Sequence, residues 1–394
     1  MAVSRRIVKS MEGSSWVRRI FETGAVLRAE HGADSVCDFS LGNPDIEPPP
    51  AFQEALNRVV SMPVPHKHGY MPNAGYPEVR ARVAEQVSKE QGVSIGGDSI
   101  VMSCGASGAM NCVLRTIIDP GDEVLVSVPC FMEYGSYVDN HGGTLVLVPS
   151  RPDFDLDVEA ISSRVGPRTA AVIINSPNNP TGRIYPADTL RRLSAALLEA
   201  GRRAGRAIYL LADEPYRKLA YDAAVVPGIM GIYPHTVVVT SYSKDMSVPG
   251  ERIGHAAVNP AADDAKRLVD GIILCTRILG YVNAPALMQR VVSSIQGMAA
   301  DIEIYRRKRD LFCGALTRMG YRFSVPEGAF YIFPRAPGGD DLAFVQALQK
   351  ELVLVVPGRG FCMPGWFRIA YCVDTAVIER SFAGFQKVIK ALGA

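Results

Sequence analysis

The chain has no continuous apolar run of the roughly 20 residues that a bilayer-spanning helix needs. Its N-terminus is polar and basic, without the apolar core of a signal peptide. Charge of neither sign dominates: 42 Lys and Arg face 40 Asp and Glu, for a net charge of +2. With no long basic block either, a dedicated nucleic-acid surface is excluded. The short cluster Arg306–Arg309 is expected to face solvent on a helix. The eight cysteines, at 37, 104, 112, 130, 275, 313, 362 and 372, form no CxxC pair, and no Cys/His run has zinc spacing. A lone HxH at His66 and His68 is expected to be solvated, and no metal site is expected. These absences give the expectation of a soluble, reduced, cytoplasmic protein.

What is present is ordinary globular composition, 48% hydrophobic and 21% charged over 394 residues. That length suggests two or three units. Residues 14–31 carry apolar positions at helical spacing, with Ser14 or Ser15 as the cap. A Gly- and Pro-rich loop, GNPDIEPPP at 42–50, follows, and 51–61 and 76–91 again have helical spacing. From about residue 98 to 285, short β-branched runs (SIVMSCG, DEVLVSVP, TLVLVPS, AAVIINSP, AIYLLADEP, TVVVTSYS) alternate with longer helical stretches. Apolar strands separated by helices imply a mainly parallel sheet covered on both faces. A long helical stretch is expected over 285–318. A hairpin-like set follows, YRFSVP, AFYIFPR, LVLVVPG and WFRIAYC, closed by a C-terminal helix: an α+β segment.

Four places stand where a strand ends and a loop begins, the edge at which open α/β sheets bind ligands. The first is Ser241-Tyr242-Ser243-Lys244. In a partly dry cleft an amine there loses basicity and becomes a nucleophile toward an aldehyde. Ser241, Ser243 and Arg252 could add donors for a phosphate. The second is Asp213-Glu214-Pro215-Tyr216, whose Asp213 could keep a ring nitrogen protonated while Tyr216 donates to a ring oxygen. The third is Asn175-Ser176-Pro177-Asn178-Asn179-Pro180-Thr181-Gly182, where two prolines fix the backbone that presents the Asn179 amide. The fourth is Ser103-Cys104-Gly105-Ala106-Ser107-Gly108, small residues that let backbone N–H groups approach an anion at a helix start. Singly, each has a plain alternative: a solvated lysine, a helix cap, a turn, a close-packed loop. Together they supply an aldehyde trap, a ring-nitrogen partner, a ring-oxygen donor and a phosphate cradle.

With NNPTG at 178–182, DEPY at 213–216, SYSK at 241–244 and an Arg eight residues past the Lys, the sequence resembles the class I/II aminotransferases of the fold-type I pyridoxal-phosphate superfamily. The resemblance spans Gly42 to Arg368. It implies an α/β fold with a mainly parallel seven-stranded sheet flanked by helices, plus a smaller α+β domain. The implied division is an N-terminal segment at 1–45 joining the small domain, a large cofactor-binding domain at 46–288 and a small domain at 289–394.

The resemblance also implies roles. Lys244 would form the internal aldimine with pyridoxal 5'-phosphate and shuttle the substrate proton. Asp213 would pair with the ring nitrogen, and Tyr216 and Asn179 would contact the ring hydroxyl oxygen. Ser241, Ser243 and Arg252, with Gly105, Ala106 and Ser107, would hold the phosphate. Phe131, in PCFMEY, would stack on the ring, where many relatives carry Trp or Tyr. Arg368, Asn179 and Gly42 would bind the substrate carboxylate. Tyr70 would reach the phosphate of a partner subunit, which implies a homodimer with shared sites. The expected activity is ping-pong transfer of an amino group from an L-amino acid to a 2-oxo acid, aspartate-type or broad in specificity. A lyase on the same fold, or a ligand-sensing domain, is the alternative. Arg18, Arg19, Arg277 and His141 are possible cations for a distal carboxylate. Ser15 and Trp16 stand where such enzymes border the side-chain pocket.

Overall fold

The structure, a computed structural model, describes residues 3–12 and 16–392. Ser14 and Ser15, the expected caps, lie outside the described residues; the helix they precede runs Trp16–His31. Twelve strands are named here in chain order: β1 Cys37–Asp38, β2 Ile100–Ser103, β3 Glu123–Val128, β4 Thr144–Pro149, β5 Thr169–Asn175, β6 Tyr209–Asp213, β7 Thr236–Ser241, β8 Gly254–Val258, β9 Tyr331–Ile332, β10 Val353–Leu354, β11 Val356–Pro357 and β12 Phe367–Ala370.

Seven of them form one sheet in the order β2-β8-β7-β6-β5-β3-β4. β3 to β7 run parallel to one another, and β8 is antiparallel to both β7 and β2. Every residue of β5 is buried, as a central strand covered on both faces must be. Its side chains alternate between two apolar clusters. Val172 and Ile174 pack with Val83, Leu193 and Val291 from one set of helices. Ala171 and Ile173 pack with Val113 and Ile272 from the helices Gly105–Ile117 and Ala265–Ile278 on the other face. The period of two thus buries the whole strand and leaves its polar end, Asn175, at the sheet's carboxyl edge.

The remaining strands lie apart from that sheet. β9, β11 and β12 form an antiparallel sheet in the order β11-β12-β9. β1 pairs in parallel with β10, so the N-terminal segment is stitched to the C-terminal part of the chain. Phe39, just past β1, is fully buried and meets Phe312 edge-on at 5.2 Å.

Three expectations require correction. YRFSVP forms no strand: Tyr321 packs between Phe344, Phe367 and Phe385, and side-chain packing rather than a ladder holds the segment. The stretch 285–318 is two helices, Ala286–Ser293 and Ile302–Met319. The break carries Gly297 at φ 83° and ends at Asp301, which caps the second helix by accepting from the Glu303 N–H at 3.0 Å. Within Arg306–Arg309, Lys308 and Arg309 are buried rather than solvated. Lys308 is paired with Asp45, and Arg309 with Asp222 at 2.6 Å and Asp310 at 2.7 Å. Their long stems cover the apolar side of the helix while the charged ends meet carboxylates. Among the described residues no helix is long and apolar enough to cross a membrane, and no group of His, Cys, Asp and Glu could hold a metal ion.

Candidate active site

A cavity of about 310 Å³ opens at the carboxyl ends of β5, β6 and β7, walled on its far side by Tyr331, Phe361 and Arg368. That size suits a small organic ligand. Gly42, Ala106, Ser107, Phe131, Asn179, Asp213, Tyr216, Ser241, Ser243, Lys244, Arg252 and Arg368 all line it. Gly105, next in the chain to Ala106, and Tyr70 do not line it.

Lys244 enters from the turn after β7. Its Nζ donates to the Gly42 carbonyl at 2.6 Å. Burial lowers the ammonium to about 8, because a charged amine loses its hydration there. Asp213 ends β6, and a turn rather than a helix follows, so it caps nothing. Its Oδ2 accepts from the Tyr134 hydroxyl at 2.6 Å, while Oδ1 is buried with no partner. Burial pushes the carboxyl up to about 7 against the opposing pull of the Tyr134 hydrogen bond. A buried acceptor left open in this way is what a protonated ring nitrogen would satisfy.

The Asn-Pro block is tied to both strand ends. The Asn179 backbone N–H donates to Asn175 Oδ1 at 2.7 Å, and Asn175 Nδ2 donates to the Asp213 carbonyl at 2.8 Å. Pro177 and Pro180 both follow cis peptide bonds. Asn179 Oδ1 in turn accepts from Arg368 at 3.0 Å. Arg368 also donates to the Ser40 carbonyl at 2.6 Å, and its guanidinium lies 4.6 Å from the Tyr331 ring and 4.7 Å from the Phe361 ring. Its Nε is buried without a partner. The Tyr216 and Tyr331 hydroxyls share a hydrogen bond of 2.7 Å. Gly42 is required by close approach: a Cβ there would stand 2.1 Å from the Tyr331 hydroxyl oxygen.

At the other end the helix Gly105–Ile117 points its N-terminus into the cavity through Ala106 and Ser107. Gly105 has φ 83°, and a Cβ on it would lie 2.8 Å from Arg252 Nη2. Arg252 is held over that helix start by donating to the Cys104 carbonyl at 3.1 Å and the Pro249 carbonyl at 2.9 Å. Helix N–H groups, two serines and a guanidinium all border the cavity, and these are donors of the kind that hold a phosphate. Pyridoxal phosphate therefore fits the donor set: an amine, an open buried carboxylate and an anion cradle on one cavity.

Tyr70 is 92% exposed, which excludes a core role. Arg19 lies over the Trp16 ring at 5.1 Å. Neither it nor Arg277 nor His141 lines the cavity. Ser15 and the Arg18 side chain lie outside the described residues. Sequence reasoning missed Tyr134, Tyr331, Phe361 and Glu133 on the cavity wall. Only Tyr134 and Glu133 had a local signal, since both follow Phe131 in PCFMEY.

Comparison with known proteins places this geometry in context. The pattern of the family "Aminotransferase class I and II" matches residues 34–383. The chain is 32% identical to the aspartate/prephenate aminotransferase of Thermus thermophilus, over 98% of both chains. It is 29% identical to aromatic-amino-acid aminotransferase 2 of Thermococcus litoralis, over 99% of each. Among solved structures, an amino transferase from Eubacterium rectale superposes with a TM-score of 0.96 at 38% identity, covering 100% of both chains.

Proposed function

Since the chain belongs to the class I and II aminotransferases, we propose that the cavity at the ends of β5, β6 and β7 is its active site, built around Lys244. The enzyme is a pyridoxal-phosphate-dependent aminotransferase, aspartate-type or broad in specificity, acting on amino acids and 2-oxo acids. One observation carries the assignment of the site: the amine of Lys244 and the unpartnered buried Oδ1 of Asp213 line the same cavity.

Bound there, pyridoxal phosphate supplies an aldehyde carbon for exchange with amines and a protonated ring that takes up electrons when the substrate Cα–H bond breaks. Asp213 Oδ1 would accept from the ring N–H, with Tyr134 holding that carboxylate in place. Tyr216 and Asn179 would contact the ring oxygen, and Phe131 would offer its face to the ring. Gly105, Ala106, Ser107, Ser241, Ser243 and Arg252 would hold the phosphate. Arg368, with Gly42 and Asn179, docks the substrate carboxylate in a site whose tyrosine and phenylalanine walls exclude water. Lys244 Nζ, set beside the Gly42 carbonyl, then moves the proton of the substrate Cα.

We further propose a cytoplasmic homodimer, with Tyr70 of each subunit reaching the other's phosphate site. Its exposure and the free state of all eight cysteines support this. The β1–β10 pairing supports the division into a joining segment at 1–45, a large domain at 46–288 and a small domain at 289–394.

Lys244→Ala tests the site. The variant should still bind the cofactor, but no residue should be labelled after borohydride reduction. Transfer from an amino acid to a 2-oxo acid should fall by at least about a hundredfold. Near-normal turnover by this variant would defeat the assignment. A requirement for a 2-oxo acid acceptor separates transfer from a lyase, which needs none.

A further inference from the structure

We infer that Glu133 sets the substrate preference of this site, directing the enzyme to amino acids whose side chain is a methylene stem ending in a hydrogen-bond donor, cationic ends above all. The inference rests on the active-site assignment above.

Among the described residues, five charged side chains line the cavity: Lys244, Arg252, Arg368, Asp213 and Glu133. Four have a use in that assignment. Lys244 takes the aldehyde, Arg252 the phosphate, Arg368 the substrate carboxylate and Asp213 the ring nitrogen. Glu133 is left over. Its Oε2 is buried and has no hydrogen-bond partner. A carboxylate oxygen withdrawn from water without a partner is costly, and a site keeps one where a ligand will supply the donor.

The position of Glu133 suits that ligand. It opens the helix Glu133–Asn140 and follows Phe131 and Met132. Burial raises its carboxyl above the ordinary range, against a hydrogen bond from its own backbone N–H and the Arg368 guanidinium, which both pull it down. Glu133 and Arg368 line the same cavity, so a side chain extending from an α-carboxylate on Arg368 enters the space that Glu133 borders. The surroundings are apolar: Met132 and Phe361 line the cavity, and Met132 and Trp16 meet over Gly360, whose added Cβ would lie 3.1 Å from Met132 and 3.2 Å from Trp16. Apolar walls accept methylenes, and Glu133 Oε2, the open acceptor that the cofactor does not use, takes the end group. Among the described residues no lining cation remains for a distal carboxylate, and such a group would face Glu133 as a like charge. Between aspartate-type and broad specificity, Glu133 selects the broad kind with this bias.

The test uses holoenzyme of the full chain. Half-reactions with L-ornithine, L-glutamine, L-aspartate and L-alanine are followed by the cofactor's absorption change. The wild type should prefer ornithine to aspartate in kcat/KM. Glu133→Gln should lower the ornithine-to-alanine ratio of kcat/KM by about tenfold, mainly through KM, and raise the aspartate-to-alanine ratio. Alanine has no distal group, so the ratios cancel any general loss of folding or cofactor. A wild-type preference for aspartate, or ratios that Glu133→Gln leaves unchanged, overturns the inference while the active site stands. If no donor reacts, alanine included, the active-site assignment fails and the inference falls with it.

Discussion

Burial moves two groups in the cavity toward each other on the pH scale. It lowers Lys244 from the ordinary 10.5 to about 8 and raises Asp213 from 3.8 to about 7. Both shifts have the same cause, since each charged form loses hydration in the cavity. Only the neutral amine attacks an aldehyde. The neutral fraction of Lys244 grows as pH rises through its folded value, so capture of pyridoxal phosphate by apoenzyme should accelerate through pH about 8. Stopped-flow absorbance measures this. A rate still climbing only near the ordinary lysine value of 10.5 would show that the amine is not desolvated. The residues chosen from strand ends, Lys244, Asp213, Asn179 and Ser241, were legible because their chemistry is written beside apolar runs. Glu133 and Tyr134 were not, since their meaning depends on what stands across the cavity: Arg368 and Asp213.

At the scale of elements, the helix Ile302–Met319 shows why a basic run cannot be read as a solvated face. Lys308 has 7% side-chain exposure and meets Asp45, which comes from the loop before the helix Pro50–Ser61. The pair ties the N-terminal loop to this helix. Asp45→Ala leaves a buried ammonium without a partner and should cost of order 3 kcal/mol, read as a lower denaturation midpoint. Adding Lys308→Met should recover part of that loss by removing the stranded charge. If Asp45→Ala leaves the midpoint where it was, the pair contributes nothing. The missing YRFSVP strand has a related lesson. Alternating apolar residues satisfy a packing pattern as well as a ladder, and Tyr321 is committed to the aromatic cluster.

At the scale of the molecule, Tyr70 stands 92% exposed on a single chain. A phenol in that state gains a role when a second subunit covers it. If Tyr70 completes the partner's site, mixing Tyr70→Phe with Lys244→Ala subunits should create one intact site per hybrid dimer. Activity of the re-equilibrated mixture should exceed the sum of the two variants assayed apart. Strict additivity, or a monomer by sedimentation, would place each site within one chain.

The sequence by itself determined the strand and helix alternation, the covered parallel sheet and the chemistry at its carboxyl edge. Apolar periodicity and the reactive residue types are local properties, readable along the chain. Only the tertiary structure decided that residues 40, 179 and 368 meet through hydrogen bonds, that Asp213 keeps one oxygen open, and that Glu133 keeps its Oε2 unpartnered on the same cavity. Burial, and the charge state it imposes, arises from residues far apart in the chain, so no stretch of sequence contains it.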